Sequence, residues 1–330
     1  MALAPIVLDS DPGLDDAVAL QYLLGTGLWD LKAYTSVGGN APAEQTFRNA
    51  RGLARVFGID GDVPVHRGSG RHISRTEYAV DFHGRTGLGE ETLPDSTVPE
   101  QTEPAPAVLI RLSKRYEGEL TVVATGPLTN VATALLADPG LAHRVRKLVF
   151  MGGAALVPGN VTAVAEFNIW ADADAADIVV SSGIPYTMVG LDATHGWRFG
   201  HGDLARLEAA GPGQELTARM MRAYLKTYER NKGEDTCPLH DPLAVGVAAD
   251  ESFVSAATGT VVVECASELT RGKTVFLAED KAGQYTYPPA VMARTRHSGR
   301  VALSTGPRDF SADFTETLLR RPAVAWRPAG

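Results

Sequence analysis

Apolar runs and polar stretches alternate along most of this chain, and the period of the alternation switches between that of a strand and that of a helix. Ile6-Val7-Leu8 is a short continuous apolar run, and residues 15–25 then carry apolar positions at helical spacing. "LKAYTSVGG" reads as a strand, and a helix is expected from about Ala43 to Phe57. "LTVVATG" predicts a buried strand followed by a helix in "PLTNVATALLAD", with Pro127 near its first turn. "VRKLVFMGG" and "PYTMVGLD" are further strands, separated by "DADAADIVVSSG", a helix with an acidic start and a glycine stop. "ELTARMMRAYLKTYERNK" is a long helix, "DPLAVGVAAD" a shorter one, and "GTVVVECA" with "KTVFLAE" a late antiparallel pair. Strands alternating with helices imply an α/β fold: an open, mostly parallel (mixed) sheet flanked by helices on both faces, Rossmann-like. No linker, repeat or low-complexity segment divides the chain, so residues 1–330 read as one domain. Residues 66–105 are loop-rich and polar, as an insertion, a lid or an oligomer contact would be.

Ligands in such folds bind beyond the carboxyl ends of the strands. The loop after the first strand places Asp9, Asp11, Asp15 and Asp16 within eight positions, "DSDPGLDD". Asp9 and Asp11 are two apart in an extended segment and share a side. Pro12-Gly13 turns the chain, and Asp15 and Asp16 fall in the first turn of a helix, where the dipole favours anions. Capping explains one or two of these carboxylates, not all of them. Like charges this close take up protons unless a cation sits among them, and carboxylate oxygens suit calcium or magnesium better than zinc. The loops at Gly38-Gly39-Asn40, Thr125-Gly126 and Met151-Gly152-Gly153 follow other strands and are expected to open on the same crevice.

Four other stretches carry candidate chemistry. In "CPLHDPLAV", Asp241 is either a helix N-cap or a group facing a metal, with its neighbour His240 facing substrate as an acid. In "AEFNIWADAD", Glu166 and Asn168 are two apart, and Asn160 lies shortly before. A carboxylate with carboxamides can grip vicinal hydroxyls, although a polar loop explains the pattern as well. "DFHGRTGLG" puts His83 in a glycine-rich loop, where a single histidine is ordinarily exposed. Tyr224 and Tyr228, at i and i+4, share a helix face that either packs in the core or flanks an aromatic ring.

The formal net charge of −8 argues against a nucleic-acid backbone or an acidic membrane surface as partner. Two cysteines, Cys237 and Cys265, are too few for a disulfide framework and fit a reducing cytoplasm. The first residues lack the basic start of a signal peptide, and no apolar run is long enough to span a bilayer.

Taken in order, these pieces resemble the nucleoside hydrolase family of the inosine–uridine preferring type. The family signature Asp-x-Asp-Pro-Gly-x-Asp-Asp stands here as Asp9-Ser10-Asp11-Pro12-Gly13-Leu14-Asp15-Asp16. The likeness continues through Gly39-Asn40, His83-Gly84, Gly126-Pro127-Leu128-Thr129-Asn130, Met151-Gly152-Gly153, Gly159-Asn160, Glu166-Phe167-Asn168 and His240-Asp241, and more weakly through Arg271-Gly272 and Thr274. Ser10 stands where the family often has threonine, and residues 66–105 and those after about 275 match less well. The resemblance implies hydrolysis of the N-glycosidic bond of ribonucleosides to ribose and free base. It implies one calcium held by Asp11, Asp16 and Asp241 and by the main-chain carbonyl of Thr125, with a bound water as nucleophile and Asp11 as general base. Asp15, Asn160, Glu166, Asn168 and Asp241 would bind the ribose, with Asn40 and Met151 close by. His83, Tyr224 and Tyr228 would lie by the base, Phe167 would contact the substrate, and His240 would assist the base's departure. The expected partner is a small ribonucleoside, and the expected assembly a homodimer or homotetramer. Two other readings fit parts of the pattern: a haloacid-dehalogenase-type phosphatase with an Asp-x-Asp nucleophile, and a calcium-stabilised nucleoside-binding protein without catalysis. The Pro-Gly and Asp-Asp of the signature oppose the first, and the joint presence of Asp11, Asp241 and His240 opposes the second.

Overall fold

The computed structural model describes residues 3–75, 78–89, 91–281, 284, 286 and 297–321. A sheet of nine strands runs through it in the order β10-β9-β11-β6-β5-β4-β1-β2-β3. The strands are β1 (Ala4–Ser10), β2 (Trp29–Ser36), β3 (Val65–His66), β4 (Thr121–Ala124), β5 (Lys147–Met151), β6 (Tyr186–Val189), β9 (Val254–Val263), β10 (Thr274–Ala278) and β11 (Gly299–Thr305). β7 (Arg198–Gly200) and β8 (Thr236–Pro238) form a small antiparallel pair of their own. From β3 across to β11 every pairing is parallel, and only β9 runs against its neighbours β10 and β11. The fold is thus the mixed, mostly parallel α/β sheet that the sequence pattern implies.

The central strands β4, β5 and β6 are buried almost throughout, as a strand covered on both faces must be. Side chains alternate across β1. Ile6 and Leu8 join the core under the helices Leu14–Thr26, Glu215–Lys232, His240–Ala249 and Phe310–Arg320, whereas Val7 joins the opposite core under Ala105–Arg115, Thr129–Ala137 and Ala173–Ser181. The order β3-β2-β1-β4-β5-β6 reverses direction between β1 and β4, the switch point at which open α/β sheets form a crevice. Asp11–Gly13 follows β1 and leads into the helix that carries Asp15 and Asp16, and Thr125 follows β4, so both loops meet there.

The expected helices and strands are present. Beyond them lies β11, which slots between β6 and β9 and turns the late antiparallel pair into part of the main sheet. Between His66, which ends β3, and Ala105, which opens a helix, the described residues are coil apart from the four-residue helix Val80–His83, with 76–77 and 90 outside the described residues. Among the described residues no helix is long and apolar enough to cross a membrane.

Candidate active site

The carboxylates at the switch point are buried, and each is held by donors that the fold supplies. Asp16, in the first turn of Leu14–Thr26, accepts from the Gly13 N–H at 2.8 Å, from Asn40 Nδ2 at 2.8 Å and from Thr125 Oγ1 at 2.7 Å. The Asn40 backbone N–H donates to Asp11 Oδ2 at 2.7 Å, so one residue clamps both aspartates. Asp11 fits only because glycines surround it. A Cβ on Gly39 would lie 2.0 Å from its carboxylate, and one on Gly126 would lie 2.5 Å away. Asp15 Oδ2 accepts from the Tyr224 hydroxyl at 3.1 Å. Asp9 differs from its neighbours: its Oδ1 accepts from Thr35 Oγ1 and Asn130 Nδ2, which ties β1, β2 and the start of the helix Thr129–Ala137 together beneath the crevice.

The electrostatics follow from crowding without water. Burial pushes Asp15 up to about 6, and burial together with the charge of Asp15 does the same to Asp16. Asp11 is raised by burial and by Asp16, and Asp241 by burial and by Asp15, Asp16 and Asp11. Asp11 Oδ1 and Asp15 Oδ1 are buried with no hydrogen-bond donor. Oxygens of Asp15, Asp16 and Asp241 lie within 4.8 Å of one another. Hard, anionic, partly unsatisfied oxygens around one point are what a divalent cation of the calcium or magnesium class takes, so the donor set fits a metal. The close trio contains Asp15, whereas the resemblance implies Asp11, Asp16 and Asp241 with the Thr125 carbonyl. Asp11 borders the trio, and the Thr125 carbonyl accepts from Asn168 Nδ2 at 2.7 Å.

Asp241 and His240 do not lie in an extended segment, as their sequence context suggests, but open the helix His240–Ala249, whose N-cap position is Leu239. Asp241 is therefore not the N-cap. The helical turn still separates the two side chains, with Asp241 beside the carboxylates and His240 against hydroxyls. His240 Nδ1 lies 2.8 Å from Thr194 Oγ1, and Nε2 lies 3.0 Å from the Tyr228 hydroxyl. Burial pushes its pKa well below the ordinary histidine value, so the ring is neutral. His83, expected on the surface, is 7% exposed, and burial pushes it down to about 4. Its ring stacks on Tyr224 at 6.3 Å and 23°, while Phe82 meets Tyr228 edge-on at 5.3 Å.

Glu166 caps the helix Phe167–Ala171. Its two oxygens accept from the N–H groups of Asn168, Ile169 and Gly153. Asn168 Nδ2 also reaches the Met151 carbonyl at 3.2 Å, and Asn160 Oδ1 accepts from the Phe167 N–H at 3.0 Å. Thr274 Oγ1 accepts from the Ala154 N–H and supports the loop after β5.

One crevice of about 410 Å³ gathers these groups. Asp15, Asn40, Thr125, Glu166, Asn168 and Asp241 line its acidic and amide side, with Met151 and Asn160 at the same end. His83, Phe167, Tyr224, Tyr228 and His240 line the rest, while Asp11 and Asp16 lie below the floor. Tyr78, Ala79, Phe82, Val161 and Trp170 complete the wall, and Asn231 and Lys232 stand at the exposed end of their helix. Phe82 and Trp170 were recoverable as neighbours of His83 and Phe167. No residue pattern marks Tyr78 or Lys232.

The chain is similar to known proteins over most of its length. Residues 6–305 match the profile described as inosine-uridine preferring nucleoside hydrolase. The chain is 36% identical over 274 residues to the pyrimidine-specific ribonucleoside hydrolase RihA of Shewanella woodyi, covering 82% of this chain and 87% of that one. It is 37% identical over 278 residues to RihA of Escherichia coli O1:K1 / APEC, covering 83% and 88%. Among solved structures it is similar to a plant nucleoside hydrolase, PpNRh1, with a TM-score of 0.87 and 29% identity over 97% of this chain and 99% of that one. It is also similar to a purine-preferring ribonucleoside hydrolase from Gardnerella vaginalis, with a TM-score of 0.84 and 32% identity over 96% and 97%.

Proposed function

The chain belongs to the inosine-uridine preferring nucleoside hydrolase family and acts on ribonucleosides, and on that premise we propose that it cleaves purine and pyrimidine ribosides in a calcium-dependent reaction carried by Asp11 and His240. The observation that carries this reading is the division of the crevice. Buried carboxylates stand at one side, and a neutral imidazole between two hydroxyls stands at the other.

The bond to be broken joins C1′ of ribose to a ring nitrogen. As it lengthens, positive charge builds on the sugar and negative charge on the base. Asp15 and Asp241 are placed to accept from the ribose hydroxyls, and their charge opposes the charge growing on C1′. Asn40, Asn160 and Asn168 complete the sugar's hydrogen bonds, and Glu166, held by three backbone N–H groups, faces the same sugar. Met151 lies beside them. Asp11 takes a proton from the attacking water as the C1′–O bond forms. Calcium held by Asp11, Asp16, Asp241 and the Thr125 carbonyl would lower the pKa of that water and offset the carboxylate charge. Phe82, His83, Phe167, Tyr224 and Tyr228 enclose the base. His240, being neutral, donates a hydrogen bond to the departing ring rather than acting as an imidazolium. We infer also that the protein works in the cytoplasm as a homodimer or homotetramer, the state the family resemblance implies; light scattering on the purified protein reads the assembly.

The test is ribose release from inosine, adenosine, guanosine, uridine and cytidine, before and after exhaustive chelation, with 2′-deoxy analogues alongside. Release from both base classes is expected, abolished by chelation and restored by calcium. The deoxy analogues should fall by about 10³-fold or more, because they leave buried carboxylates without their hydroxyl partner. Release that survives complete chelation would overturn the calcium role, and release from one base class alone would narrow the substrate.

A further inference from the structure

We propose that Thr194 is a positioning residue that holds His240 in a single orientation as its Nε2–H tautomer. The proposal rests on the reading of His240 as the group on the leaving-base side.

Thr194 ends the short helix Leu191–Thr194 that follows β6, far in sequence from His240. Its side chain is fully buried, and its Oγ1 lies 2.8 Å from His240 Nδ1. Its backbone N–H is already used, donating to the Gly190 carbonyl. Among the described residues, Nδ1 is the hydrogen-bond partner of this hydroxyl. That fixes the direction of the bond. If Nδ1 carried the proton, Thr194 would accept it, and the threonine's own O–H would be buried with no acceptor, a cost that folded proteins avoid. If Thr194 donates, Nδ1 is the acceptor and carries no proton, which leaves the ring's proton on Nε2. Nε2 is the atom that faces the Tyr228 hydroxyl, 3.0 Å away at the crevice wall. Every donor in the chain then has a use. Thr194 O–H goes to Nδ1, Nε2–H points towards Tyr228 and the base, and the Tyr228 proton is left for the crevice. The arrangement also removes ring flipping, since each nitrogen meets a hydroxyl suited to it.

Two measurements test this on the intact protein. In ¹⁵N NMR of the imidazoles, with the His240 signal assigned by its loss in His240→Ala, the wild type should show a protonated Nε2 and a bare Nδ1. Thr194→Val, which keeps the shape and removes the hydroxyl, should show a mixture of tautomers, and Thr194→Ser should restore the single form. In kinetics, Thr194→Val should lower kcat on inosine by about 10- to 100-fold with KM little changed, leave p-nitrophenyl riboside within about 3-fold, and be rescued by Thr194→Ser. A protonated Nδ1 in the wild type, or one unchanged tautomer and unchanged kcat in Thr194→Val, overturns the proposal. The NMR result stands whatever His240 does in catalysis. Equal loss on both substrates in the His240→Ala control would instead count against the leaving-base role itself.

Discussion

The two walls of the crevice solve opposite problems. The acidic wall concentrates charge where water is scarce. Asp11, Asp15, Asp16 and Asp241 are all raised by burial, and all but Asp15 also by the charge of neighbouring aspartates, and the donors around them leave Asp11 Oδ1 and Asp15 Oδ1 unsatisfied. The buried groups of the opposite wall carry no charge near neutral pH: burial pushes His83 and His240 down and the Tyr224 and Tyr228 hydroxyls up. On the proposed reading, one wall holds cations, including a sugar on its way to becoming one, and the other offers hydrogen bonds to a ring that is becoming an anion. The difference teaches that the two halves of the reaction can be broken separately.

The largest effect is expected at the acidic wall. Asp11→Ala should cost at least about 10³-fold in turnover on every riboside, with an unchanged or higher melting temperature, because a buried and unsatisfied charge is removed. Near-normal ribose release from this variant would dissolve the assignment of that wall. On the other side, His240→Ala should cost about 10²-fold on inosine and little on p-nitrophenyl riboside, whose leaving group needs no donor. Losses of equal size on the two substrates would mean that the walls do not divide the labour as argued.

Stability separates them in another way. The raised aspartates mean that the cation-free fold has its full share of their stability below about pH 4 and loses it as pH rises through about 6. Cation binding needs the deprotonated carboxylates and strengthens over the same range. Calcium at about 100 times its Kd should therefore raise the melting temperature by about 5 °C at pH 8 and clearly less at pH 5. The neutral wall contributes nothing to that difference. Differential scanning calorimetry at the two pH values reads it, and a calcium shift as large at pH 5 as at pH 8 would contradict the charge balance of the acidic wall.

The two walls also differ in how far they can be read from the chain. The acidic wall was legible because three of its four aspartates fall in one loop, and a charged run flanked by core sequence has few explanations. Asp9, from the same run, is not part of that wall: its carboxylate is taken up by Thr35 and Asn130. A helix beginning about Asp241 was legible, but its true start at His240 was not, because Leu239, a residue with no capping side chain, precedes it. Tyr78 and Lys232 come from separate parts of the chain, and only the fold brings them to one crevice. Phe310, Phe314 and Leu318 mark the last helix at i, i+4 and i+8, so its pattern was available, whereas the placement of β11 inside the sheet is a matter of topology that no local period encodes.

The smallest effect probes the place where the walls touch. The Tyr224 hydroxyl donates to Asp15 Oδ2 at 3.1 Å, so an aromatic from the neutral side helps satisfy a carboxylate of the acidic side. Tyr224→Phe keeps the ring, its stack with His83 and its edge contact with Tyr228, and removes only the donor. A lost hydrogen bond to a buried carboxylate is worth about 1–3 kcal/mol, of which a bound cation offsets part, so a loss of about 10-fold is expected. Because Asp15 serves the sugar and not the base, the loss should appear mainly in KM and be equal for inosine and p-nitrophenyl riboside. That signature is the reverse of the one expected for His240→Ala. If Tyr224→Phe instead spared p-nitrophenyl riboside, the tyrosine would belong functionally to the leaving-base wall, and the boundary between the two halves would have to be redrawn on the other side of Asp15.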